Sequence, residues 1–233
     1  MIKAIFFDWF NTLACYEPPR EEVHSQALKE FDIEVSPEKI LPGVLKADTY
    51  FFEENANSPV GKRDSKEQAK VWAHYQQIVL DSAGVKVNQE LLAKVVEKVG
   101  ELFKETRWAL FEDVLPTLKT LKEQDFILGL LTNLAQDMNP LFQELNLEPY
   151  LDFVVTSKEV GVDKPNPLIF QAALQRASVE ASEAVHVGDQ YKMDVVGARG
   201  VGINPVLIDR YDLYPDVRDC PRIRSLTELA GYL

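Results

Sequence analysis

Ile2-Lys3-Ala4-Ile5-Phe6-Phe7-Asp8-Trp9-Phe10-Asn11-Thr12-Leu13 stands at the start of the chain, and its reading decides the fold. The run from Ala4 to Phe7 is apolar without alternation, the pattern of a strand covered on both faces, and it stops on a carboxylate at Asp8. Residues 127–131, 153–155 and 185–187 repeat that form, each apolar and each closed by a polar residue. Helical periodicity is expected over 114–122, 167–176 and 193–199. Strand followed by helix, repeated, is the order of an α/β fold, a doubly wound parallel sheet of Rossmann-like form.

Residues 15–108 break that alternation. No strong strand signal occurs there, only amphipathic stretches with helix starts and stops. Ser36-Pro37 has the form of an N-cap followed by proline in the first turn, and Ser65 with Gln68 has capping-box spacing. Asn88 is placed to cap a helix whose Leu91, Val95 and Val99 share one face, while Gly84 and residues 57–61 punctuate. The sequence therefore predicts a sheet domain of residues 1–14 and 109–233, interrupted by a helical domain of residues 15–108.

With 233 residues, 46% hydrophobic and 27% charged, the chain has the composition of an ordinary globular protein. A formal net charge of -12 opposes broad contact with nucleic acid or an anionic membrane surface. No apolar run approaches the roughly 20 residues that cross a bilayer, so a cytoplasmic location is expected. Nothing in the sequence sets an oligomeric state. Cys15 and Cys220 are too few for a disulfide framework or zinc site, and His24, His74 and His186 lack ligand spacing. The histidines are expected to be satisfied core or surface residues, with His186 in a buried strand. Arg20, Lys39, Lys46, Lys62 and Arg63, in the helical segment, read mostly as solvated charges.

Ligands of parallel α/β sheets sit beyond the carboxyl ends of the strands, where the strand order switches. The residues closing the strands are thus the informative ones: Asp8, Thr132-Asn133, and Gly188-Asp189 with Asp194 beyond it. Lys164 lies in a Gly161-Val162-Asp163-Lys164-Pro165-Asn166-Pro167 stretch that leads into a helix. A nucleophilic carboxylate, a hydroxyl, an ammonium and a second pair of carboxylates are expected to share one crevice.

These four groups, in this order and across nearly the whole chain, resemble the motifs of the haloacid dehalogenase superfamily: Asp8-Trp9-Phe10-Asn11-Thr12-Leu13, Thr132-Asn133, Lys164-Pro165, and Gly188-Asp189 with Asp194 and Gly197-Ala198. The helical insertion resembles that family's all-helical cap, which closes over the site and selects a small-molecule substrate. The resemblance implies that Asp8 is the covalent nucleophile, that Thr132 and Asn133 bind substrate, and that Lys164 holds Asp8 ionised and offsets developing charge. It implies a magnesium ion on the side chains of Asp8 and Asp189 and the carbonyl of Phe10, supported by Asp194.

One position departs from the pattern. Phosphatases of the superfamily carry a second aspartate where this chain has Phe10, and a phenyl ring supplies none of the roughly 10² to 10⁴ in rate that an acid or base contributes. Dehalogenases of the superfamily also have an aromatic residue there, but an uncharged residue where this chain has Asp189. Crowding Asp8, Asp189 and Asp194 near one Lys164 favours a cation, because like charges at about 4 Å repel by roughly 4 kcal/mol at an effective dielectric of 20. The expectation is magnesium-dependent phosphoryl transfer from a substrate with a good leaving group. A 2-haloacid dehalogenase and a catalytically impaired binding protein are the alternatives.

Overall fold

The structure, a computed structural model, describes residues 1–134 and 136–233. The chain divides into two compact units, one of residues 1–15 and 108–233, the other of residues 16–107.

In chain order the elements are β1 (Ala4–Phe7), β2 (Ala14–Glu17), α1 (Arg20–Lys29), α2 (Pro37–Asn57), α3 (Ser65–Ser82), α4 (Gln89–Phe103), β3 (Arg107–Leu110), α5 (Val114–Glu123), β4 (Ile127–Thr132), α6 (Asn139–Glu144), β5 (Phe153–Thr156), α7 (Ser157–Val160), α8 (Pro167–Ala177), β6 (Ala184–Gly188), α9 (Gly197–Gly200), β7 (Asn204–Ile208) and β8 (Arg222–Ile223). The first unit holds a six-stranded sheet in the order β5-β4-β1-β6-β7-β8, with every pairing parallel. The chain crosses from β1 to β4 and β5 on one side, then to β6, β7 and β8 on the other. β1 is therefore the switch point, and Phe7 pairs with Leu130 of β4 and Val187 of β6.

Apolar residues cover both faces of this sheet. One core includes Ile5, Phe7, Leu128, Leu130, Val185 and Val187 under α5; the other includes Phe6, Leu131, Ile169, Phe170 and Ala173 from the α8 side. This two-sided burial is why the strands carry no alternation. β7 and β8 extend the sheet beyond the four strands expected from sequence. In β7, exposed Asn204 and half-buried Pro205 dilute the apolar signal before Val206, Leu207 and Ile208.

The helix expected over residues 193–199 takes another form. Tyr191–Val196 wind as a wider π turn before α9 begins. Such turns recur at functional sites, and here the turn carries Asp194 with its carboxylate turned back onto the main-chain N–H of Gln190, 3.0 Å away.

The second unit is built on α1 to α4. Val95 and Val99 of α4 pack with Leu28, Ile40, Val44, Val79 and Leu80. Asn88 caps α4 through a 2.9 Å bond from the Leu91 N–H. Asp64, one residue before the expected Ser65, caps α3 by accepting from Lys66 and Glu67, since its carboxylate reaches both free N–H groups. Ser36 precedes Pro37 as expected but makes no side-chain cap bond. Gly43 lets α2 and α3 approach: a Cβ there would lie 2.7 Å from the Val79 carbonyl oxygen.

Three expectations for residues 15–108 need correction. β2 and β3 are strands and pair with each other; at four residues each, they are too short to show a period. Arg20 is no solvated charge: it is 7% exposed and ion-paired with buried Asp48, which also accepts a 2.8 Å bond from Tyr75. His24 is fully buried, but neither ring nitrogen has a hydrogen-bond partner among the described residues.

Candidate active site

Asp8 lies one residue past β1, with its N–H bonded to the Val187 carbonyl at 2.8 Å and its side chain nearly closed off from solvent. Neighbouring strand ends deliver Thr132 from β4 and Gly188-Asp189 from β6. Lys164 is buried on the loop before α8. Its ammonium stands 2.5 Å from Asp8 Oδ1 and 2.7 Å from Asp194 Oδ1.

Asn133 fixes the lysine's backbone. Its Nδ2 donates to the Lys164 carbonyl at 3.2 Å, and its Oδ1 accepts from the Lys164 N–H at 2.7 Å. Both ends of that amide are thereby engaged by main chain. Thr132 is buried, with Oγ1 accepting from the Leu134 N–H at 3.1 Å.

Asp194 is tied at both oxygens: Oδ1 meets Lys164 and His186 Nε2, the latter at 2.9 Å, and Oδ2 meets the Gln190 N–H. Asp189 differs. Its Oδ2 accepts from Asn11 Nδ2 at 3.2 Å, while its Oδ1 is buried with no hydrogen-bond partner among the described residues. Asp8, Asp189 and Asp194 each offer a carboxylate oxygen within 4.8 Å of the others.

The charge states follow from burial and proximity. Burial pushes the Asp8 carboxyl up to about 6, against the pull of Lys164. Burial, then the charges of Asp8 and Asp194, push Asp189 well above the carboxylate range. For Asp194 burial is outweighed by Lys164 and His186, which hold it low. Burial would lower Lys164, but Asp194 and Asp8 outweigh it and raise it. Burial lowers His186, keeping the ring neutral, so that Nε2–H donates to the Asp194 carboxylate. One ammonium thus pairs with two of three clustered carboxylates, and the third, Asp189, has an orphaned buried oxygen. This donor set fits a hard divalent cation, which favours carboxylate oxygens and offsets their repulsion.

Two contacts are absent from the sequence reading. Asn11 reaches Asp189 across 178 residues. It sits in the left-handed region, φ 55°, where asparagine is among the better-tolerated residues. Its place inside the first motif, where the chain must turn back sharply, is the signal that could have revealed it. His186 is buried in a strand as expected, yet its bond to Asp194 makes it a neighbour of the charged group. Its spacing of eight residues from Asp194 carries no recognisable motif.

The strand order, the switch point at β1 and this cluster define a doubly wound α/β protein that gathers acidic groups at the carboxyl ends of its strands. The family model for haloacid dehalogenase-like hydrolases matches residues 2–202, and the chain belongs to that family. It is 28% identical to human haloacid dehalogenase-like hydrolase domain-containing protein 3, over 100% of this chain and 92% of that protein. It is 32% identical to the glyceraldehyde 3-phosphate phosphatase of Methanopyrus kandleri, over 90% of this chain and 85% of that protein. Among solved structures, the 2-haloacid dehalogenase of Pseudomonas syringae pv. Tomato is similar at 27% identity and a TM-score of 0.58, covering 99% of this chain and 97% of that one. No helix among the described residues is long and apolar enough to cross a membrane.

Proposed function

We propose that this hydrolase is a magnesium-dependent phosphatase of small molecules with good leaving groups, and that Asp8 is its nucleophile. The observation that carries this reading is the clustering of the Asp8, Asp189 and Asp194 carboxylates, with Lys164 on Asp8 and Asp194 and with Asp189 Oδ1 unpartnered among the described residues. Likeness to a phosphatase over 90% of the chain supports it. Asp8, Asp189 and the Phe10 carbonyl would hold the ion, and a bound magnesium would neutralise charge on the transferring phosphoryl group.

In the proposed reaction an Asp8 oxygen attacks phosphorus in line, and the leaving group departs with the bonding electron pair. An aspartyl phosphate results. Water then attacks that phosphorus, releasing phosphate and restoring the carboxylate. Thr132 donates its hydroxyl to a phosphoryl oxygen, and Lys164 stabilises charge while keeping Asp8 ionised. Asn133, just past β4, acts through Lys164, whose backbone it holds. Phe10 has no proton to give, so the leaving group must be good without one. Chemistry is assigned to residues 1–14 and 109–233, and substrate selection to residues 15–108.

Dehalogenation is the second reading, favoured by the aromatic Phe10 and by likeness to a 2-haloacid dehalogenase. Turnover of an activated aryl phosphate with and without magnesium, beside halide release from 2-chloropropionate, separates the two. Magnesium-dependent phosphate release is expected. Halide release alone, indifferent to chelator, would replace the phosphatase reading with the other.

A further inference from the structure

The motif loop is held from a part of the chain that the family model does not reach. That model ends at residue 202, whereas Arg210 lies just past β7. Its NH2 donates to the Thr12 carbonyl at 2.8 Å, across 198 residues. The same guanidinium forms a two-pronged pair with Asp113, NH1 to Oδ2 at 3.0 Å and NH2 to Oδ1 at 2.9 Å. It also stacks on the Phe111 ring, 3.9 Å from the centroid. Asp113 is itself held by Ser225 Oγ at 2.7 Å and by the Leu226 N–H at 2.8 Å. Both charged side chains are about nine-tenths buried, 11% exposed for Arg210 and 12% for Asp113. A planar guanidinium held along one edge by a carboxylate and across one face by a ring has little freedom to leave the carbonyl it serves.

That carbonyl belongs to the tightest part of the first motif. The Asn11 N–H bonds to the Ala14 carbonyl at 2.8 Å, and the Leu13 and Ala14 N–H groups both bond to the Trp9 carbonyl at 2.9 Å. Asn11, directly before Thr12, is the left-handed residue whose amide reaches Asp189. Anchoring the Thr12 peptide from outside is a means of holding Asn11 in a conformation that a free loop would populate little.

The geometry points to Arg210 as a positioning residue: clamped by Asp113 and Phe111, it fixes the Thr12 peptide and through Asn11 sets the place of Asp189. The clamp's effect on metal binding rests on the proposed roles of Asp8 and Asp189, but its hold on the loop does not. Arg210→Gln breaks the clamp while keeping a polar side chain. Arg210→Lys restores one donor and the charge beside Asp113, and keeps the question open to test if the glutamine variant folds poorly. Ser225→Ala removes a partner of Asp113 without touching the bond to Thr12.

Two readouts decide. Hydrogen exchange of the full chain should show the Asn11, Leu13 and Ala14 amides exchanging at least about tenfold faster in Arg210→Gln, with Leu128 and Leu130 of β4 unchanged. The lysine variant should fall between, and Ser225→Ala should match wild type at the loop. Calorimetry with magnesium alone should show weaker binding by about threefold or more in Arg210→Gln. Unchanged exchange at residues 11–14, or a rise shared equally by β4, would overturn the clamp. A loosened loop with wild-type magnesium affinity would overturn its link to Asp189. A wild-type protein that binds no magnesium would overturn the function proposed above, and exchange would still decide the clamp.

Discussion

Gly188 at the end of β6 and Asp194 on the following turn touch so closely that a Cβ on Gly188 would lie 2.1 Å from Asp194 Cγ. Glycine is needed there for space: a methyl group would drive the carboxylate away from Lys164, His186 and the Gln190 N–H together. Gly188→Ala is therefore expected to destabilise the fold by about 1–3 kcal/mol, the usual cost of overpacking, and to lower turnover in the folded fraction. Thermal unfolding beside kcat checks this, and a variant equal to wild type in both would refute the close packing.

Asp189 carries the second prediction. Its Oδ1 is buried without a hydrogen-bond partner among the described residues, an arrangement that a bound cation would satisfy. Asp189→Ala should weaken magnesium binding by at least about tenfold, a loss that removal of supporting groups alone can produce in metal sites. Equal calorimetric affinity in variant and wild type would remove Asp189 from the ligand set and strengthen the dehalogenase reading.

Phe10 is half-buried and packs edge-on against Trp108, ring centroids 5.8 Å apart. Phe10→Asp should raise phosphate release from poorly activated alkyl phosphates more than from activated aryl phosphates, with a differential on the order of 10-fold or more, short of a fully positioned acid because the surroundings were not shaped for a carboxylate. Losing the Trp108 contact should cost about 1 kcal/mol, so stability is measured beside rate. A folded, magnesium-binding variant with unchanged leaving-group preference would show that residue 10 does not face the leaving group.

His24 predicts a pH dependence. Burial first, and then the charge of Arg20, lower its pKa from 6.5 to about 3. The unfolded chain therefore binds a proton that the folded chain refuses. The neutral ring's stability is complete above pH 6.5 and is lost progressively as pH falls towards 3. Between pH 7 and pH 5 the loss is about 2 kcal/mol. Urea unfolding at both pH values should show His24→Leu losing less stability than wild type by about that amount. Parallel losses in the two proteins would contradict it.

The fold was legible because burial on both faces leaves an unmistakable apolar run, as in Ala4–Phe7, and because each such run stops on a polar residue. Asp8, Thr132 and Asp189 were visible for that reason, and Lys164 through its motif. What the sequence concealed is contact set by the third dimension: Asn11 on Asp189, His186 on Asp194 and Arg210 on Thr12 join residues whose separation has no period. The Tyr191–Val196 turn escaped because its apolar spacing is also that of an α-helix. Arg20 looked solvated because a charge by itself gives no sign of a buried partner such as Asp48.

Turnover of an activated aryl phosphate by Asp8→Asn decides whether Asp8 is the nucleophile. An amide is too weak a nucleophile to form the covalent intermediate at a catalytic rate, while its similar shape preserves the end of β1. kcat should fall by about 10³-fold or more while the circular dichroism spectrum stays unchanged. Turnover near that of wild type, in a variant equally well folded, would contradict it.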